Sequence, residues 1–290
     1  MKEPWIPRLI GVIHLPPLSG SPRALREGLS PSDALQRAGL WAVKEARLLA
    51  QAGFEGLVIE NFGDTPFYKT QVPPETVACL SVIAAAVREA SRLPLGINIL
   101  RNDARAALAV AAVTGSSFLR VNVLSGVVAS DQGLIEGDAA GLLRERERLG
   151  VSGSVGILAD VHVKHAQTLS SVDIGLAVEE VALRAMADGV VVTGATTGRS
   201  VDPQALERVA RVAREQGVLV WIGSGSTTET LPELLKFAHG VLVGSSIRRG
   251  GRAGEPLDPK RARDFARAFR QAGKRRKAIR KKKTTRRAAG

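Results

Sequence analysis

One stretch of the chain places three ionisable side chains two residues apart. A strand-like apolar run is followed by Asp160, His162 and Lys164. Alternate residues of a strand share a face, so these three are expected to point one way and Val161 and Val163 toward the outer helices. Neighbouring acid, imidazole and amine groups shift each other's pKa values and move protons. The pattern predicts a catalytic pocket; the alternative is a surface strand with a polar outer face.

The rest of the chain repeats a β-branched apolar run and a helix-like segment. The strand-like runs are residues 8–15, 56–61, 95–100, 118–123, 156–166, 189–194, 218–223 and 240–245. Alternating strands and helices imply a parallel sheet with right-handed crossovers. Eight such units predict a closed (β/α)₈ TIM barrel over residues 1–272. A doubly wound open sheet is the alternative, but no Gly-x-Gly-x-x-Gly follows the first run.

Polar side chains stand at the ends of most of these runs, where TIM barrels place their active sites. The candidate catalytic residues are His14, Glu60, Asp160, His162 and Lys164. The candidate substrate-binding residues are Asp64, Asn98, Asn122 and Thr193. Taken singly, each is also explained as the first residue of a polar loop. The long glycine-rich stretch 124–137 is predicted to be a lid over this face.

Two glycine-rich turns follow the seventh and eighth predicted strands. Their candidate phosphate-binding residues are Gly223, Ser224, Gly225, Gly244, Ser245 and Ser246. Glycine lets the backbone approach an anion, and the exposed amides and hydroxyls donate hydrogen bonds to phosphate oxygens. Many barrels hold a substrate phosphate at this position, and Arg248 and Arg249 add positive charge nearby. A phosphorylated small molecule is the predicted ligand, although glycine is also common in tight βα loops.

A divalent metal is left open by the sequence, and no cofactor is assigned. The suitable ligands are His14, Glu60, Asp64, Asp160 and His162, but no spacing such as His-x-x-x-His enforces a site. Lys164 would form a Schiff base if burial and a neighbouring charge depressed its pKa. The alternative is a salt bridge between Lys164 and Asp160 or Glu60.

The net charge of +13 is concentrated at the C-terminus. Residues 274–290 hold ten Lys and Arg residues and no acid, which leaves +3 for the rest of the chain. We predict that residues 273–290 form a disordered basic tail beyond a last helix that ends near Gln271. Such a tail is expected to contact polyanions, either nucleic acid or an anionic membrane, without sequence specificity. The alternative is a solvated extension that aids solubility.

The composition also predicts the compartment. A single cysteine, Cys79, fits a reducing environment. The N-terminus has no apolar signal core, and no apolar run reaches membrane-spanning length. A soluble cytoplasmic protein is therefore expected, with a homo-oligomer left open.

Several separated motifs occur in a fixed order along the chain. They are residues 11–18 (GVIHLPPL), 60–67 (ENFGDTPF), 100–103 (LRND), 120–123 (RVNV), 131–137 (DQGLIEG) and 160–166 (DVHVKHA). Through them the sequence resembles the BtpA family, also called BtpA/SgcQ, over about residues 8–270. The resemblance implies a barrel of the ribulose-phosphate-binding type. The family's first-named member is associated with photosystem I biogenesis, and the family name establishes no reaction.

Two classes of function follow from these observations. The first is an isomerase, lyase or hydrolase that acts on a phosphorylated metabolite by acid–base chemistry. The second is a non-catalytic biogenesis or stabilisation factor for a membrane complex of the photosystem I type. Fold alone does not separate them.

Overall fold

A computed structural model describes residues 5–163, 166–169, 173–194 and 201–288, with side chains described as far as residue 274. The strands are β1 (Leu9–His14), β2 (Gly56–Glu60), β3 (Leu95–Asn98), β4 (Phe118–Val121), β5 (Val127–Ser130), β6 (Gly133–Glu136), β7 (Gly156–Val161), β8 (Ala166–Thr168), β9 (Gly189–Val192), β10 (Leu219–Ile222) and β11 (Gly240–Val243). The helices are α1 (Pro22–Arg26), α2 (Pro31–Ala52), α3 (Pro74–Ser91), α4 (Ala104–Thr114), α5 (Ala139–Arg148), α6 (Ile174–Glu179), α7 (Pro203–Glu215), α8 (Leu231–Phe237) and α9 (Pro259–Ala288).

Eight parallel strands close into a barrel in the order β1, β11, β10, β9, β7, β4, β3, β2. This confirms the predicted (β/α)₈ TIM barrel. Each observed strand ends before its predicted run does, and His14, Glu60 and Asn98 are the last residues of their strands. The polar residues at the carboxyl ends therefore surround one mouth of the barrel.

The part of the barrel interior below this mouth is filled with apolar side chains. Gly96 and Gly189 make room for this filling: a Cβ atom at Gly96 would lie 2.2 Å from the ring of Phe118, and one at Gly189 would lie 2.6 Å from the ring of Trp221. The interior cluster consists of Ile6, Ile10, Val12, Val58, Phe118, Leu158, Val191, Trp221 and Leu242. Because this layer is packed, the barrel interior is accessible only from the carboxyl ends of its strands.

The stretch predicted as a lid contains a β-hairpin. Strands β5 and β6 pair antiparallel, and β5 also pairs with β8, which forms a three-stranded sheet beside the barrel. Val163 packs in a small cluster with Val123, Val128 and Ile135 of this region. The prediction that Val163 meets the outer helices is therefore wrong, because the hairpin supplies its apolar cover.

The last helix is longer than predicted. It continues past Gln271 to Ala288, since Lys, Arg and Ala favour helix and no proline interrupts the segment. Its buried contacts include Phe269 and Ala272. The disorder of the basic tail in solution stays a prediction. Among the described helices, none combines the length and the apolar character that a membrane span requires.

Candidate functional site

A cavity of about 540 Å³ opens at the carboxyl ends of the barrel strands. Its polar lining includes His14, Glu60, Asn98, Arg101, Arg120, Asn122, Gly223, Ser224, Gly225, Ser226, Gly244, Ser245 and Ser246. The structure thus brings both predicted glycine-rich turns together with four of the other candidate residues. A cavity of this size and mixed polarity is typical of small-molecule sites.

The floor of this cavity is an ion network around Arg120. Its Nη1 donates to Glu60 Oε1 at 3.0 Å, and its Nε and Nη2 donate to the two oxygens of Asp160, each at 3.0 Å. Asn122 Nδ2 donates to the same carboxylate at 3.2 Å. Burial acts to lower the pKa of Arg120, but the Asp160 and Glu60 carboxylates outweigh it and raise this pKa above its ordinary value. One buried cation therefore holds two carboxylates from different strands.

Arg120 was not among the predicted site residues. Its signal in the sequence is a charged side chain within an apolar strand, two residues before Asn122 and so on the same face. Asp160 was predicted to converge with Glu60, Asn98 and Asn122, and the network confirms this placement. Because both Asp160 oxygens accept from Arg120, Asp160 fixes the guanidinium in place.

Asn98 has an amide orientation fixed by its neighbours. Its Nδ2 donates to the carbonyl oxygen of Arg120 at 2.9 Å and to Asn122 Oδ1 at 3.1 Å. A carbonyl oxygen can only accept, which identifies the donating atom of the Asn98 amide. The remaining atom, Oδ1, is buried and has no hydrogen-bond partner in the part of the chain that the structure describes. The amide therefore offers an acceptor that no described residue satisfies.

His14 and Glu60 form the titratable pair of the cavity wall. The backbone N–H of Gly254 donates to His14 Nδ1 at 3.3 Å, so the neutral imidazole carries its proton on Nε2. That Nε2 lies 3.8 Å from Glu60 Oε2. The His14 ring is held in place by Phe62, with ring centroids 4.5 Å apart. The cavity thus contains an oriented N–H donor beside a carboxylate.

The two glycine-rich turns line the cavity on adjacent strands, β10 and β11. Gly225 has a φ of +75°, a conformation that favours glycine. Gly244 packs closely against the imidazole: a Cβ atom there would lie 2.9 Å from His14 Cε1. The buried hydroxyls of Ser226 and Ser246 have no hydrogen-bond partner among the described residues. Ser226 lies in the predicted turn at residues 223–227, although it was not among the candidate phosphate-binding residues.

Arg248 does not add charge to these turns as predicted. It is fully buried, and its Nη1 and Nη2 donate to the two oxygens of Glu45 at 2.8 and 2.9 Å. Burial nevertheless raises the pKa of Glu45 above its ordinary value, although Arg248 opposes the effect. This ion pair ties the loop after β11 to α2, and the partners are far apart in sequence. Arg261 of α9 is a cation that lines the cavity.

Two predicted substrate-binding residues contact other parts of the fold. Asp64 accepts the backbone N–H of Leu18 at 2.8 Å and Asn61 Nδ2 at 3.1 Å, and burial raises its pKa. Thr193 Oγ1 donates to the carbonyl oxygen of His162 at 3.4 Å. In the described chain neither side chain lines the cavity. Both hold loops around its rim, and their role in binding stays a prediction.

The alternation of β7 ends at Val161, which packs in the outer core as predicted. His162 has a left-handed φ of +52°, so the strand parity does not extend to it. Its ring is half-buried and, among the described residues, does not line the cavity. Lys164 lies outside the described residues. The catalytic roles of His162 and Lys164 stay predictions.

His162 predicts a pH dependence of stability. Burial lowers its pKa below the ordinary 6.5, and the Asp173 carboxylate partly opposes this. The unfolded chain then binds the proton more readily, so stability present above pH 6.5 is lost as the pH falls through the folded-state pKa. We expect urea unfolding of His162→Gln to show a smaller loss of stability on acidification than the parent protein. An identical pH dependence of the two proteins would refute this.

The described residues contain no group of three or more His, Cys, Asp or Glu side chains placed to hold a metal ion. The carboxylates of Glu60 and Asp160 instead accept hydrogen bonds from Arg120. A divalent metal stays an untested prediction.

Comparison with known sequences gives a match over nearly the whole chain. The model of the BtpA family matches residues 7–271. The photosystem I biogenesis protein BtpA of a Synechocystis strain is 42% identical over 261 residues, which cover 90% of this chain and 87% of that protein.

Comparison with solved structures gives the same fold, a TIM barrel. Thiamine phosphate pyrophosphorylase from Pyrococcus furiosus superposes with a TM-score of 0.54 at 12% identity, over 91% of this chain and 96% of that one. A 3-hexulose-6-phosphate synthase gives a TM-score of 0.52 at 15% identity, over 90% and 99%. Likeness at this identity shows the fold alone, a TIM barrel, and the ribulose-phosphate-binding type stays an expectation.

Proposed function

The chain belongs to the BtpA family, and we propose that its barrel binds a small phosphorylated molecule on which it performs acid–base chemistry. The observation that carries the proposal is the composition of one cavity. It combines two glycine- and serine-rich turns with His14 and Glu60. Packing alone does not require these groups to share a cavity, whereas binding and proton transfer do.

The phosphate would lie between the turns after β10 and β11. There the backbone N–H groups and the hydroxyls of Ser226 and Ser246 donate to its oxygens, which would supply partners for both buried hydroxyls. Arg261 also lines the cavity, and its Nε lies 3.9 Å from Asp258 Oδ2. Solved structures of the same fold include proteins named for phosphorylated compounds, which supports this choice of ligand.

Glu60 and His14 are the proposed acid–base pair. Glu60 Oε1 accepts from Arg120, which leaves Oε2 toward the imidazole as the proton acceptor. His14 Nε2–H would donate to an oxygen of the substrate as charge develops there, because Nδ1 already accepts from Gly254. A carboxylate beside an N–H donor suits removal of a proton next to a carbonyl, the step shared by many isomerases and lyases.

A non-catalytic biogenesis factor is the second candidate, and the name of the Synechocystis relative is the observation that favours it. A scaffold role gives no reason for the Arg120 network and two serine hydroxyls without a partner among the described residues to lie around one cavity. The two candidates differ in what the purified protein binds, either a small phosphorylated molecule or another protein.

Ligand-dependent unfolding tests the proposal. A ligand that binds only the folded state stabilises it by about 2.7 kcal/mol at 100 times its dissociation constant. We expect millimolar inorganic phosphate and glycerol 3-phosphate to raise the midpoint of thermal unfolding. A chloride salt at equal ionic strength, free of sulfate, should leave this midpoint unchanged. An unchanged midpoint across the phosphate series would contradict the proposed site.

The basic tail is proposed to contact polyanions. Its ten positive charges follow the last described buried residue of α9, Ala272. Deletion of residues 274–290 should abolish salt-sensitive binding to RNA, DNA or anionic vesicles and leave the unfolding midpoint nearly unchanged. Filter binding and vesicle sedimentation at low and high salt measure this. Absence of any such binding by the full chain at low salt would disprove the proposed contact.

A further inference from the structure

We propose that the substrate carries a carboxylate at the end opposite its phosphate, and that Arg101 binds this carboxylate. The inference rests on the proposed function, since it takes the phosphate to lie in the turns after β10 and β11. It adds a specificity-determining residue and names the substrate class as a phosphorylated acid.

The topology places Arg101 across the cavity from the phosphate turns. In the closed order of eight strands, β3 lies four positions from β10, and β4 lies four positions from β11. Arg101 follows β3 by three residues, and it lines the same cavity as the turn after β10. A molecule with its phosphate in the turns therefore extends toward Arg101.

The surroundings of Arg101 suit an anion. The residue is 7% exposed, and it lies near the network in which Glu60 and Asp160 already accept hydrogen bonds from Arg120. Arg101 and Arg120 thus lie near the buried carboxylates of Glu60 and Asp160, whose charges they balance, and the exposed Asp131 adds one further negative charge near Arg101. A guanidinium presents a planar fork of donors that fits a carboxylate at two points.

Two further observations agree with this assignment. Burial lowers the pKa of Arg101 below its ordinary value despite the nearby carboxylates, so the charged form gains from an additional anion. At the end of β3, three residues before Arg101, Asn98 Oδ1 is a buried acceptor without a described partner. A substrate hydroxyl next to the carboxylate would donate a hydrogen bond to Asn98 Oδ1. A phosphorylated hydroxy acid carries such a hydroxyl.

Two matched pairs of probes test the carboxylate directly. 3-Phosphoglycerate and glycerol 3-phosphate differ by a carboxylate in place of a hydroxymethyl group, and so do 6-phosphogluconate and glucitol 6-phosphate. We expect the full-length protein to bind the acid of at least one pair about tenfold more tightly than the alcohol, measured by isothermal titration calorimetry. Arg101→Met should reduce this ratio to about one and leave the affinity for inorganic phosphate unchanged.

Arg105→Met is the matched control. Arg105 lies in the same βα unit and forms an exposed ion pair with Asp138 outside the cavity lining, so its loss removes the same charge without touching the site. The control should keep the preference for the acid. Arg101→Lys keeps the charge but loses the planar fork, and it should give an intermediate ratio; this variant serves as the test if Arg101→Met does not fold.

The outcomes separate this inference from the proposed function. If phosphate binds but neither pair shows a preference, or if Arg101→Met keeps the preference, the carboxylate site is wrong and the phosphate site stands. If inorganic phosphate does not bind but an acid preference depends on Arg101, the carboxylate site stands alone. If no probe binds, both are wrong.

Discussion

Replacement of Arg120 by methionine is expected to lower the free energy of unfolding by about 3–5 kcal/mol, the usual cost of removing one partner from a buried ion pair. Methionine fills much of the same volume, so the loss comes mainly from charge. Without the guanidinium, Glu60 and Asp160 remain buried and lose the cation that hydrogen-bonds to both of them. Urea unfolding at neutral pH measures the difference.

The control for this measurement is again Arg105→Met. Its ion pair with Asp138 is exposed, and such pairs contribute about 0–1 kcal/mol. A loss at Arg120 no larger than the loss at Arg105 would contradict the network as the floor of the cavity. A loss of several kcal/mol only at Arg120 supports it.

Gly225→Val is expected to abolish the stabilisation of the protein by phosphate. The valine side chain would occupy the space above the turn, where the anion approaches the backbone, and its φ of +75° resists a β-branched residue. The expected loss of affinity is at least about 100-fold, or about 2.7 kcal/mol. Thermal unfolding with and without phosphate measures it.

Gly217→Val distinguishes the loss of phosphate binding from the effect of backbone strain. Gly217 has a φ of +72°, nearly that of Gly225, but a Cβ atom there meets nothing within 4 Å and the residue does not line the described cavity. Both variants should lose similar intrinsic stability. Only Gly225→Val should lose the response to phosphate, and an equal response in both variants would refute the phosphate site.

The barrel and one half of its site follow from local patterns in the sequence. Glu60, Asn98 and Asn122 stand at the ends of apolar runs, and strand parity placed them correctly because each lies on or directly after a regular strand. Gly225 and Ser246 were found by their position after the last two strands. These predictions needed only alternation, turn chemistry and the known geometry of a closed barrel.

The wrong predictions concern residues whose positions depend on tertiary contacts. His162 leaves the parity of β7 because its backbone is left-handed, which an apolar–polar alternation does not reveal. Arg248 was assigned to the phosphate turns, but Glu45, from a helix 203 residues earlier, buries it. Arg120 was overlooked although a charged side chain within an apolar strand is a signal of burial, and Arg101 was overlooked because it lies after the end of β3, where strand alternation gives no information.

Mass spectrometry of small molecules retained by the purified protein tests whether the cavity binds a phosphorylated molecule. Wild type, Gly225→Val and Gly217→Val would be purified in parallel from the same cells and denatured to release what they hold. We expect wild type and Gly217→Val to release a phosphorylated molecule and Gly225→Val to release none. A wild-type protein that releases no phosphorylated molecule, or no more than Gly225→Val, would contradict the claim that this cavity binds one.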